Sequence, residues 1–128
     1  MKTFNNTLLI LALGSSLVGS AVAQTSSTGT TSGAGPGVYD PGHPRVNQVN
    51  TREQNQQNRI ANGVKSGQLT PGETSRLENK EARIQRQEKR DMAKNNGHLT
   101  KVEQAKLNRE QNKVSRQIYS DKHNSKTQ

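Results

Sequence analysis

Two glutamates and one row of cations are the residues of this chain whose types and spacing could do chemistry. Glu73 closes the phrase GQLTPGE, and Glu103 closes GHLTKVE thirty positions later. The cations Arg76, Lys80, Arg83, Arg90 and Lys94 fall at offsets 0, 4, 7, 14 and 18, with Gln87 at offset 11. On a helix those offsets trace a single face. Such a ribbon would suit a phosphate-rich or acidic partner, and it would equally keep a chain poor in apolar residues in solution. Glu78, Glu81, Glu88 and Asp91 fall elsewhere around the same helix.

Other chemistry is thinly provided. With no cysteine the chain has neither a thiol nucleophile nor a disulfide. His43 stands between Gly42 and Pro44, His98 lies in a turn, and His123 sits near the C-terminus. None has an acid or nucleophile fixed beside it in the sequence. His98 could join Glu103 only in a loose metal contact, since a site needs several convergent ligands. Glu78 and Glu81 have no pocket-forming residues around them. The expectation is a protein that is not an enzyme, with no catalytic residues and no cofactor. Beyond the first 23 residues the only aromatic side chains are Tyr39 and Tyr119, too few to stack single-stranded bases. Nucleic acid is therefore not the expected partner.

The elements that must position these residues follow from a repeat. At an offset of thirty, Gly67, Leu69, Thr70, Glu73, Leu77, Arg86 and Gln87 match Gly97, Leu99, Thr100, Glu103, Leu107, Arg116 and Gln117. Ile84 faces Val114 and Arg76 faces Lys106 as conservative matches. The glycine is placed to end one helix in the left-handed conformation. Threonine then caps the next helix, and glutamate three residues on completes a capping box. Pro71 takes the first helical position of the first copy, where its missing N–H is harmless. The phrase is helix–turn–helix punctuation, written twice.

Sparse apolar residues recur with helical spacing on either side of it. Val46, Val49, Ile60 and Val64 form one stripe, with Glu53 and Gln56 between them. Leu77, Ile84 and Met92 form a second, interrupted by Glu81 and Glu88. Leu107, Val114 and Ile118 form a third, broken by Gln111. The spacing predicts helices over 46–65, 71–95 and 101–121. Few large apolar residues serve so long a region, so a monomeric bundle would be marginal. Loose packing, a homodimer sharing the stripes, or ordering on a partner would each relieve that shortage.

The N-terminal part reads differently. Lys2, an apolar run from Leu8 to Leu13, and small residues up to Ala21–Ala23 have the order of a secretory signal peptide over 1–23. Gly14, Ser15, Ser16, Gly19 and Ser20 interrupt the run too often for a retained span, and no cysteine follows to take a lipid. The expected location is the periplasm or the outside of the cell, with no membrane span after cleavage. Of 19 basic and 10 acidic residues, cleavage would remove Lys2 and no acid, leaving a charge of +8. Residues 24–45, rich in Ser, Thr, Gly and Pro, read as a disordered tether. The helical region spans 46–124, and 125–128 form a disordered tail.

Three resemblances accompany these readings. GQLTPGE and GHLTKVE resemble the second half of an EF-hand calcium loop, which implies a calcium contact through Glu73 and Glu103. The loop's opening aspartate would fall at Asn62 and Met92, and its next ligand at Val64 and Lys94. Each candidate loop keeps one carboxylate where a hard cation wants several. The Leu-Thr-x-x-Glu element is also similar to the Leu-Thr-x-x-Gln elements of a family of exported periplasmic chaperones, which implies a role shielding unfolding clients. Glu73 and Glu103 replace that family's glutamine. More widely, residues 46–124, ending in RQIYSDKHN, resemble a group of small exported bacterial helical proteins carrying the same paired phrase. That likeness implies no activity.

The expectation is thus an all-α exported protein with a tether, about three helices in two helix–turn–helix repeats, and no sheet. It would act by binding anionic envelope partners or unfolding clients through Arg76, Lys80, Arg83, Arg90 and Lys94. Gly67, Thr70, Glu73, Gly97, Thr100 and Glu103 would serve as turn and cap. A calcium-responsive protein using Glu73 and Glu103 is the alternative.

Overall fold

The computed structural model describes residues 33–126. The expected signal peptide, residues 24–32 of the expected tether and the last two residues lie outside that range. Three helices, α1 (Pro44–Lys65), α2 (Pro71–Lys94) and α3 (Lys101–Lys122), make up most of it, with no strand among the described residues.

The starts of α2 and α3 are set by side chains, as the repeat predicts. Thr70 Oγ1 accepts from the Glu73 N–H at 3.3 Å, and Glu73 Oε2 accepts from the Thr70 N–H at 3.1 Å. Thr100 and Glu103 repeat the exchange at 3.2 and 2.9 Å. Each box satisfies two of the helix's orphan donors. Gly67 and Gly97 stand at φ 72° and 85°, where a side chain would be strained. The start of α1 is different: His43 makes no side-chain cap, and Pro44 opens the helix two residues before the spacing predicts.

Pairings along the chain fix the topology. Gln104 donates to Gln48, Gln56 to the Gln111 carbonyl, and Arg59 to Ser115, so α3 runs parallel to α1. Gln57 reaches Glu78 across the first turn, and α2 runs antiparallel to both. α3 packs closely on each neighbour, whereas α1 and α2 meet more sparsely.

The core is thin and continuous, running through Val46, Val49, Ile60, Leu77, Ile84, Met92, Leu107, Val114 and Ile118. Leu69 and Leu99, read from the sequence as part of the punctuation, are fully buried and plug its ends. Gly63 makes room for the first plug, because a Cβ there would come within 2.7 Å of Leu69 Cδ1. Val64 does not join the stripe expected of it and is 42 % exposed, in the last turn of α1.

Polar residues fill the gaps between the apolar layers. Gln111 donates to the Val49 carbonyl at 3.0 Å, and Gln56 to the Gln111 carbonyl at 2.8 Å. These amides stitch α1 to α3, where the sequence alone marks them as weak points in the seam. The repeat also places a glutamine one turn before each buried aspartate. Gln87 donates to Asp91 and Gln117 to Asp121, both at 2.7 Å.

Residues 33–43, assigned by composition to the tether, follow a defined path along α1. Buried Asn50 directs it, accepting from the Gly35 N–H at 2.9 Å and donating to the carbonyls of Gly33 and Val38 at 3.0 and 2.9 Å. Its own carbonyl accepts from Gly37. Asn47 pairs with both backbone groups of Asp40. Composition marks this stretch of Gly and Pro as a coil, because the groups that hold it belong to another segment.

Candidate functional site

Of the five cations expected to form a ribbon, the structure brings three to one place. Lys80, Arg83 and Arg90 of α2 line a groove of about 480 Å³ between α2 and α3. Opposite them α3 contributes Lys106 and Lys113. The floor is apolar, made by Ile84 of α2 with Leu107 and Val114 of α3. Arg76 and Lys94 are exposed on α2 but do not line the groove. Lys94 lies 3.8 Å from buried Asp91.

The sequence reading misses Lys106 and Lys113 as groove residues, although the repeat carries a signal for them. Arg76 and Arg83 stand thirty positions before them, and Leu77 and Ile84 stand thirty before Leu107 and Val114. Antiparallel packing of two such helices sets two cationic stripes along opposite rims of one apolar seam. Reading α2 alone finds half of the groove.

Charge within the groove is unevenly compensated. Glu110 is the one acid lining it and pairs with Lys113 at 2.9 Å. Arg90 donates to Gln87 at 2.8 Å, and Gln87 in turn holds both Asp91 oxygens. Lys80, Arg83 and Lys106 form no ion pair among the described residues. Three unpaired cations over an apolar floor can attract an anionic group and give its apolar portion somewhere to go.

Glu73 and Glu103 are spent on structure. Beyond its cap, Glu73 accepts from Asn124 Nδ2 at 2.8 Å. Glu103 accepts from Asn95 Nδ2 on both oxygens, at 3.0 and 2.9 Å, and from the Thr100 hydroxyl at 2.9 Å. The backbone N–H of Thr70, then Asn124, holds the Glu73 carboxyl below its ordinary range, and the N–H of Thr100 does the same for Glu103. Every oxygen of both groups thus faces a donor of the protein. His98 packs against His43 in a tilted arrangement, ring centroids 4.2 Å apart and planes 55° to each other, and His43 Nδ1 lies 2.9 Å from Asp40. Thus the turn between α2 and α3 rests on the 33–43 segment rather than pairing with Glu103. His123 stacks on Tyr119.

Among the described residues no three His, Cys, Asp or Glu side chains are grouped to hold a metal ion, and no helix is long and apolar enough to cross a membrane. No family model, curated protein or solved structure matches the chain.

Proposed function

We propose that this is an exported, non-enzymatic interaction protein that seats an anionic partner bearing apolar groups in the groove between α2 and α3. The observation that carries the reading is the combination of unpaired Lys80, Arg83 and Lys106 with the floor of Ile84, Leu107 and Val114. A purely solvated face has no need of an apolar floor, and a hydrophobic seam has no need of five cations along its rims. Export rests on the order of residues in 1–23. Anionic lipid of the cell envelope supplies both a phosphate and an acyl chain, and is the partner favoured here. An acidic stretch of an unfolding client, as in the chaperone reading, would offer similar chemistry.

Co-sedimentation with vesicles at low salt tests the reading. Each cation near an anionic surface contributes about 1 kcal/mol, so the triple change Arg83→Glu, Lys106→Glu and Lys113→Glu removes about 3 kcal/mol or more. Binding should fall by about a hundredfold and should already weaken in salt for the unaltered protein. Equal binding by the two proteins would sink the proposal. If vesicles are ignored while a reduced, aggregating acidic client is held soluble by the unaltered protein only, the chaperone reading takes its place.

A further inference from the structure

A second recess of about 110 Å³ opens on the α1 side of α2, and its chemistry is opposite to that of the groove. Glu53, Glu78 and Glu81 supply carboxylates, Gln57 and Gln85 supply amides, and Pro36 and Ala82 form an apolar wall, so Glu78 and Glu81 do line a recess, contrary to the sequence reading, because its other wall comes from α1 and the 33–43 segment. We propose that this recess binds a primary alkylammonium group, its head between Glu53 and Glu81 and its methylenes along Pro36 and Ala82.

Two independent observations carry the assignment. The first is the recess itself, an acidic hollow in a chain of charge +9. The second is the state of its two deepest side chains. Glu53 is 2 % exposed and Glu81 5 % exposed; neither oxygen of either carboxyl receives a hydrogen bond from the protein, and all four are closed to solvent, so an ammonium head must turn these side chains toward the recess to meet them. A buried carboxyl without a donor is costly. Glu78 differs, because Gln57 Nε2 donates to its Oε2 at 3.1 Å. The α1–α2 seam, the sparsest of the three, therefore holds two acids with no protein donor to satisfy them.

The shape of the recess selects among cations. Liquid water occupies about 30 Å³ per molecule, so the space suits three or four waters or a short amine. An ammonium group carries three donors that can be shared between carboxylates on two helices and an amide oxygen. A metal ion would require three ligating groups around one point, an arrangement not found among the described residues.

Protons compete for the same oxygens. Burial, with the Glu88 carboxyl next and Lys89 opposing, pushes Glu53 up to about 8. Burial, then Glu53 and Glu78, pushes Glu81 up to about 8. The nearest groups of α3 shown on α1 are those of the neutral Gln111, bonded at Val49 and Gln56, on either side of Glu53 in the sequence. The 33–43 segment brings Pro36. An alkylammonium keeps its own charge to about pH 10, so its binding should strengthen as pH rises through the range in which these carboxyls ionise.

Thermal unfolding of the full chain in n-butylammonium chloride, against tetramethylammonium chloride at equal ionic strength, tests this at about pH 6 and pH 8.5. The expected result is a higher midpoint in n-butylammonium, a larger gain at the higher pH, and loss of the gain in Glu53→Gln/Glu81→Gln. Equal midpoints in the two salts at both pH values would overturn the proposal without recourse to any variant, as would a gain that survives the double substitution. A third arm with Nα-acetyl-lysine N-methylamide identifies the source. A gain there too admits a lysine side chain as ligand, and a gain with n-butylammonium alone restricts the recess to free amines. Neither outcome bears on the α2–α3 groove.

Discussion

Asn124 donates to Oε1 of Glu73 at 2.8 Å, so the residue just past the end of α3 holds the glutamate that caps α2. Asn95, at the end of α2, does the same for Glu103 at the start of α3. Each cap is thus a three-part clasp of threonine, glutamate and asparagine. Asn124→Ala should lower the urea midpoint and expose the Ser120–Asn124 amides to exchange. Thr70→Ala should cost about 1 kcal/mol. Unchanged exchange at the end of α3 in Asn124→Ala would show that the clasp holds nothing.

Two sets of carboxyls pull the pH dependence in opposite directions. Glu73 and Glu103 are held below the ordinary glutamate value of 4.5 in the folded protein. Their contribution is present above that value and is lost as pH falls below it. Glu53 and Glu81 are raised to about 8 and Glu88 to about 7. Their contribution is complete below 4.5 and declines as pH rises toward 7 to 8. Stability should therefore peak near pH 5 and fall toward pH 8. Urea midpoints across that range check this, and Glu53→Gln/Glu81→Gln/Glu88→Gln should flatten the alkaline fall. A midpoint that rises from pH 5 to 8 would refute the assignment.

Asn50 alone makes three hydrogen bonds to the 33–43 segment from a fully buried position. Asn50→Ala should cost roughly 1–3 kcal/mol by stranding those backbone groups. Loss of exchange protection at Gly35 and Gly37, with α2 and α3 unaffected, is the expected signature.

The turn glycine makes a local prediction. Gly67→Ala places a side chain at φ 72° with no atom close enough to clash. Its cost should therefore be the conformational one, roughly 1–2 kcal/mol. Gly63→Ala forces the Leu69 plug to move and should lower the thermal midpoint further.

The parts of the fold that were legible are those specified within a few residues of themselves. The starts of α2 and α3 at Pro71 and Lys101 agree with the sequence because Thr-x-x-Glu determines them locally. The start of α1 was displaced because His43 leaves no cap to read. The path of 33–43 was hidden because Asn50, on α1, decides it from fifteen residues beyond Gly35. Lys106 and Lys113 required the repeat to be laid against an antiparallel pairing. Val64 kept the spacing of the apolar stripe, yet lies outside the core at the end of α1.

The α2–α3 groove is the proposed seat for an anionic, partly apolar partner. Methyl NMR of the protein titrated with short-chain phosphatidylglycerol, below its micelle concentration, tests it most directly. Progressive shifts are expected at Ile84, Leu107 and Val114, with none at Val46 and with their loss in Arg83→Glu/Lys106→Glu/Lys113→Glu. Shifts spread evenly over the surface, or none at those three methyls, would contradict it.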